Sequence, residues 1–526
     1  MTRIFHGQIT GDPSRPAKSI TSRDLDPAVR LGDLVTRWNH YFIWDEACIP
    51  GKELEKIRWT GDDLCDEVVK FLGMEKGDIL VKLEAYMAAT AREDWDDAIR
   101  RFWESVEGRP PNGVNACQGQ FCPDFDCKSK SQTLSRGQAV FWKYISPILT
   151  SLLHFSIIDI PRPLLTLITG FSAPNIIEVL LHTSYLTSSS SAITNRRLFE
   201  TAQMVLDAMN DMTPSSGIGF RSVLKVRMLH SHVRLRLLRS PKFDTKYGVP
   251  INQEDLLATL GAVSVACIWS MERMGIHIAR EDKAAYIAAW KHIGYYMGIH
   301  STHLERFYKD YHAAEKHLCS SIVHLLEPEL GKPSGMLPLQ LLEHISNLPL
   351  YGQSIQFHSE LSRRLIGDEL ADVFRLPRAN LMTRMGVLGS LTLMRLEIMV
   401  GRWYFSGWER ERVRLMKEFV DYVVMWQIGN RQAFERSGFG YKNVVEHDIG
   451  KKTRVNRKVN GMSVAGVEKD QVEETDGNVT VHVDGGYIKA LKRRYYGVIV
   501  FQPVVLVGGI VCAVGWTLVS LGYTLF

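Results

Sequence analysis

A histidine set in an apolar helical stripe, with an arginine about one turn to either side, is the arrangement in this chain best suited to chemistry. It lies in the stretch from Arg196 to Arg239, RRLFETAQMVLDAMNDMTPSSGIGFRSVLKVRMLHSHVRLRLLR. At 100° per residue His230 falls among Val223, Val226, Val233 and Leu237 and faces inward. His232 lies about 200° away, on a face shared with Lys225, Arg236 and Arg239, so one helix cannot offer both rings to one site. An inward imidazole is either a metal ligand or a satisfied core residue, and periodicity alone leaves both open. Arg227 and Arg234 flank His230 where guanidinium groups could pair with an anion held beside the ring. Arg197 and Thr201, spaced i, i+4, head a second stripe that continues through Met204 and Ala208.

Two helices must position these groups, one over Arg196 to Asn210 and one over Arg221 to Arg239. The Thr-Pro-Ser-Ser-Gly segment at 213–217 separates them, and Ser240-Pro241 ends the second.

Arg197-x-x-x-Thr201, then VRMLHSHVR some thirty residues on, then GVPINQEDLLATL and AAYIAAWKHIGYYMGI, resembles the latex-clearing proteins and ER-bound oxygenases of the MpaB type. The resemblance covers roughly residues 130 to 400. It implies that His230 is the proximal ligand of a non-covalent haem b iron, with Arg197 and Thr201 on the other side of the haem. No CxxCH is present for covalent attachment. The resemblance further implies dioxygen-dependent cleavage of a carbon-carbon double bond in an apolar, isoprenoid-like small molecule. Rubber-cleaving relatives use a distal glutamate as base, for which Glu178 in NIIEVLL is the nearest upstream candidate. Some of them carry a lysine just before the threonine that can occupy the distal iron position, whereas this chain has Glu200.

The chain of 526 residues is 45% hydrophobic and 23% charged, which is globular material with enough length for a large core. Its net charge of +5 is spread along the sequence and makes no case for nucleic acid. Eight cysteines without a regular framework, and a polar start with no apolar leader, suggest a reduced, cytosol-facing protein. Cys117, Cys122 and Cys127 recur every five residues but lack the CxxC pairing and fourth ligand of a structural zinc site, so a loop is expected there.

Residues 1–30 are polar and read as a mobile arm, and residues 31–430 as one all-α oxygenase domain. Within it, 139–186 is strongly apolar, yet Asp159, Arg162, Glu178 and four prolines cut it into pieces too short to cross about 30 Å of hydrocarbon. Buried helices walling the pocket over the haem are expected instead. Asn252 is placed to cap a helix running to about Met274, where Gly275 breaks it. LMTRMGVLGSLTLMRLEIMVG carries Arg384, Arg395 and Glu397, which argue for a buried or surface-lying helix over a membrane span. The paired E-x-x-H pattern of di-iron bundles, GxGxxG before a helix, G-x-S-x-G and H-E-x-x-H are all missing. Residues 431–490 form a polar linker, and 495–526 run without charge to the end behind Lys492-Arg493-Arg494.

That last segment exceeds the about 20 apolar residues needed to span. It reads as a C-terminal transmembrane tail anchor, with the body on the cytosolic side of a membrane, most naturally the endoplasmic reticulum. The expectation is an all-α, haem-binding oxygenase domain on this tail. Two alternatives are a haem peroxidase or hydroxylase of secondary metabolism and a non-enzymatic helical membrane adaptor in which His230 is merely core.

Overall fold

The computed structural model describes residues 4–5, 18–19, 29–74, 78–107, 110, 130–145, 147–148, 173–183, 191–325, 339, 342–343, 346, 354–403, 406–427 and 493. The tail at 495–526, the whole linker at 431–490 and the three spaced cysteines lie outside the described residues, as does most of the apolar run 139–186.

Helices dominate the described chain, and a small sheet stands at its start. Strands β3 (Leu34–Arg37) and β4 (His40–Ile43) form an antiparallel hairpin, closed by Trp38 and Asn39, both at positive φ as a two-residue hairpin turn requires. β1 (Ile4–Phe5) pairs parallel with β4, and β2 (Lys18–Ser19) pairs parallel with β3. Residues 4–5 and 18–19 thus cover the hairpin edges, and the stretch after residue 31 opens on strands rather than a helix. An uncovered hairpin edge leaves backbone groups unpaired, which is the physical reason for that cover.

The helices follow in order: α1 (Gly51–Ile57), α2 (Asp63–Leu72), α3 (Ile79–Ala89), α4 (Asp97–Glu107), α5 (Lys130–Lys143), α6 (Pro174–Thr183), α7 (Ser191–Asn210) and α8 (Ile218–Leu238). Then come α9 (Gln253–Val263), α10 (Val265–Arg273), α11 (Arg280–Tyr296), α12 (Ser301–Phe307), α13 (Tyr311–Leu325), α14 (Ile355–Ile366), α15 (Asp368–Val373), α16 (Leu381–Trp403) and α17 (Ser406–Gln427). The helix expected to run from Asn252 to about Met274 is two helices, α9 and α10, because the backbone breaks at Ser264 (φ −111°, ψ −76°). Asn252 does cap it, accepting from the Asp255 amide, and Gly275 at φ +78° does end it. Gln253–Arg273 is long and apolar enough to cross a membrane, but 72% of its most apolar 18 residues are buried inside the protein, as befits a core segment.

The centre of the body is α8. Every residue from Ser222 to Met228 is buried, so no face of that segment is left to solvent. It packs against α2, α3, α6, α7 and α11. Such a position would ordinarily call for an apolar helix, yet α8 carries Lys225, Arg227 and Arg234 into the interior. Each meets an aspartate from α2, α3 or their N-caps: Lys225 with Asp78 at 3.3 Å, Arg227 with Asp62 at 2.6 Å and Arg234 with Asp66 at 2.6 Å. Asp62 and Asp78 are also the N-caps of α2 and α3, accepting from the Cys65 amide and from those of Leu80 and Val81. Buried cations are tolerable only when paired and hydrogen-bonded in this way.

Two glycines let helices approach without side chains between them. Gly219 lets α8 rest on the backbone of Asp207 and Ala208 in α7, and Gly137 lets α5 rest on Ala285 and Ala289 of α11. Ser222 Oγ donates to Asp207 Oδ2 at 2.6 Å and fixes the register of α7 on α8.

Candidate functional site

The site is built on the α7–α8 hairpin. From the Asp207–Ser222 contact, six residues back along α7 reach Thr201 and eight residues on along α8 reach His230. The two helices run antiparallel, so these residues stand at similar height, and the backbone of Arg197 lies about one turn farther along α7. The structure thus brings the levels of Thr201 and His230 together. The side chain of Arg197 lies outside the described residues.

His230 Nδ1 is buried and has no hydrogen-bond partner. Burial among protein atoms, reinforced by the positive charge of Arg234 and opposed by Asp62, lowers the imidazole pKa to about 4. The ring is therefore neutral at physiological pH, the form that can bind a metal. His230 nevertheless keeps partial exposure, as do Leu229 and Val233 on the same face. The residue is thus less completely packed than the run from Ser222 to Met228 before it. A buried ring nitrogen without a partner costs about 1–3 kcal/mol.

Arg227 and Arg234 do not reach out beside His230. Arg227 donates to both oxygens of Asp62, Nε to Oδ2 at 2.6 Å and Nη2 to Oδ1 at 2.9 Å. Arg234 donates to Asp66 Oδ1 at 2.6 Å and to the carbonyls of Pro250 and Ile251 at 3.2 and 3.0 Å, while Ser231 Oγ also donates to Asp66. Both guanidinium groups are spent within the protein, so the anions beside them are its own carboxylates. Burial works against the Asp62 carboxylate, but the charge and hydrogen bonds of Arg227, the charge of Arg234 and the Cys65 amide hold its pKa below the usual value.

These aspartates are what sequence reasoning missed. Asp62 and Asp66 have the i, i+4 spacing of one helical face, yet nothing in a single sequence ties that face to α8, which is more than 150 residues away.

Glu178 sits half-buried on α6, which packs on α8, but its carboxylate faces His182 of its own helix at 3.4 Å. Glu200, at the position before Thr201, is buried. Among the described residues no three His, Cys, Asp or Glu side chains converge to hold a metal ion.

A second buried polar cluster adjoins these pairs, with Gly61 against Arg234 and Gly298 against Asp62 and Arg227. The carbonyls of Arg58 and Thr60 accept from the amides of Val249 and Gln253, and the Gln253 side chain bridges Gly61, Gly298 and His300. Arg58 pairs with Glu254 at 2.5 and 3.0 Å, leaving Asp255 beside it without an arginine of its own. Burial, then repulsion from Glu254, raise the Asp255 pKa from 3.8 to about 7 despite Arg58, the Asn252 contact and Asn175. The folded chain therefore holds this proton more tightly than the unfolded one, and stability falls as pH rises from 3.8 to about 7. Asp255→Asn should remove that penalty: its melting temperature should exceed that of the parent at pH 8 by more than it does at pH 5.

Residues 165–396 match the family model described as the ER-bound oxygenase mpaB/B'/Rubber oxygenase, catalytic domain. This stretch, somewhat under half of the chain, is similar to the mpaB/rubber oxygenase family. It lies within the span of 130 to 400 expected from sequence motifs, and it contains α6 to α15 with the first sixteen residues of α16. The structure of latex clearing protein LCP in the closed state is similar over 67% of this chain and 87% of its own, at 17% identity and a TM-score of 0.47. No curated protein matches the chain. In this mpaB/rubber oxygenase-like stretch, His230, Thr201 and Glu178 all lie on the helices α6 to α8.

Proposed function

We propose that the chain is a haem-dependent oxygenase that cleaves a carbon-carbon double bond in an apolar, isoprenoid-like small molecule. The carrying observation is the neutral, partnerless imidazole of His230 on the central helix of a stretch similar to an oxygenase family. Haem b, held without a covalent bond, would supply the binding and activation of dioxygen.

The residues of the chain do the rest. His230 offers a ring nitrogen whose proton is already lost, so no deprotonation opposes ligation. Arg227 and Arg234, locked onto Asp62 and Asp66, keep α8 from turning and so hold that ring in place. Thr201 and Arg197, from the facing helix, are assigned the hydrogen-bond donors that meet negative charge as it develops on oxygen. Glu178, whose carboxylate lies 3.4 Å from His182, is assigned the base. The apolar tail at 495–526 is assigned to anchoring in the endoplasmic reticulum membrane, beside a bilayer that dissolves oily substrates.

The test is the visible spectrum of the purified full chain before and after dithionite. A Soret band that shifts on reduction is expected, and a colourless but folded, metal-free protein would overturn the reading. Thr201→Val is expected to keep the band and lower turnover.

A further inference from the structure

Among the described residues ten large hydrophobic side chains are exposed, and five of them lie on α16. Leu381, Met382 and Met385 are 73%, 82% and 59% exposed, and Leu388 and Leu396 continue the line. At 100° per residue Leu381, Met385, Leu388, Thr392 and Leu396 fall within about 80° of arc, in a straight stripe some 23 Å long. The opposite face, Val387, Leu391, Met394 and Ile398, is buried against the body. The helix is thus apolar on both sides, and one side faces outward.

The surroundings of the stripe decide what covers it. There is no acidic residue between Leu381 and Leu396, while Arg384 flanks the stripe and Arg375 and Arg378 stand exposed just before it. Arg378 shares Asp372 with Arg363, which also pairs with Asp368, and Arg384 lies 3.6 Å from Glu360, which is already bound to Arg364; the exposed charges at this rim are Arg375, Arg378 and Arg384 against Asp372, a positive excess. Thr392, the polar member of the stripe, turns its hydroxyl back onto the Leu388 carbonyl at 2.8 Å and so presents a satisfied group. Gly386 and Gly389 have open space beside them, which leaves the face shallow rather than grooved. A shallow apolar stripe with a basic rim complements the surface of an anionic bilayer: the side chains enter the acyl boundary and the arginines meet phosphate.

We infer that the outward face of α16 rests on a lipid bilayer containing anionic phospholipid and orients the body on the membrane. The inference rests on the membrane reading above only for bringing the body near a bilayer. A tethered body meets that surface at high effective concentration, so the stripe need not bind strongly by itself.

The test uses the full chain reconstituted in phosphatidylcholine vesicles, with and without phosphatidylserine, and the photo-reactive residue p-benzoylphenylalanine in place of Met385. The same residue in place of Trp59, also exposed but on the α1–α2 connection, is the control. Phospholipid adducts at 385 several-fold above the control, increasing with phosphatidylserine, are expected. Adducts to a second copy of the chain without lipid adducts would overturn the inference and make the stripe a dimer contact. Lipid adducts no higher than the control, in a chain that still floats with the vesicles, would overturn it and leave the tail anchor standing. A chain that does not float with vesicles of either composition would overturn both.

Discussion

Replacing His230 with alanine is expected to give a folded protein that purifies without a Soret band. The imidazole makes no hydrogen bond that the fold would miss: its Nδ1 is buried without a partner, and the residue is only partly buried. Deleting the side chain removes packing, at a cost of about 1–3 kcal/mol, but it also removes the penalty of an unsatisfied nitrogen, which is of similar size. The two largely offset, so far-ultraviolet circular dichroism and the melting temperature of cofactor-free protein should change little. Haem retention has no such compensation if His230 is the sole protein ligand, and added imidazole should restore part of the band. A His230→Ala protein that keeps its full haem content would show that another residue holds the iron.

The opposite outcome is expected at Asp62. Asp62→Ala leaves Arg227 buried with no counter-charge, which costs about 3–5 kcal/mol, and it also removes the cap of α2, worth about 0.5–2 kcal/mol. Against a typical domain stability of about 5–15 kcal/mol this is a large loss, readable as a drop in the urea midpoint or as failure to accumulate soluble protein. The pH dependence gives a second readout. The pKa of Asp62 in the folded chain is depressed, so its contribution is present above the unfolded value and is lost as pH falls through the folded one. The variant should accordingly lose less stability between neutral and acid pH than the parent does. Equal acid sensitivity in the two proteins would mean that the Asp62–Arg227 pair contributes nothing at neutral pH.

The two substitutions separate what could be read in the sequence from what could not. The α7–α8 hairpin, its turn, the inward direction of His230 and the Asn252 cap follow from local rules: a helical period, a proline, a side chain that can accept from a free amide. Those rules act within a few residues. The engagement of Arg227 and Arg234 could not be read, because an arginine beside an inward histidine looks the same whether its partner is a ligand or a distant carboxylate. Lys225 shows the same limit more plainly, since its place on a polar face with Arg236 and Arg239 gives no sign that Asp78 will bury it. The hairpin at 34–43 was missed for another reason. Its ten residues, LVTRWNHYFI, alternate too briefly to stand out against the helical patterns that follow.

The three aspartates that neutralise α8 lie at positions 62, 66 and 78, about a hundred residues before the family-matched stretch begins at 165. A fragment cut at the family boundary would therefore keep Lys225, Arg227 and Arg234 and lose the anions that allow them to be buried. The span recognised by kinship and the span able to fold alone are different lengths of chain. The leading helices, which lie outside that stretch, are thus obligatory parts of the same cooperative unit. Domain swaps or truncations in such a chain have to respect that longer unit.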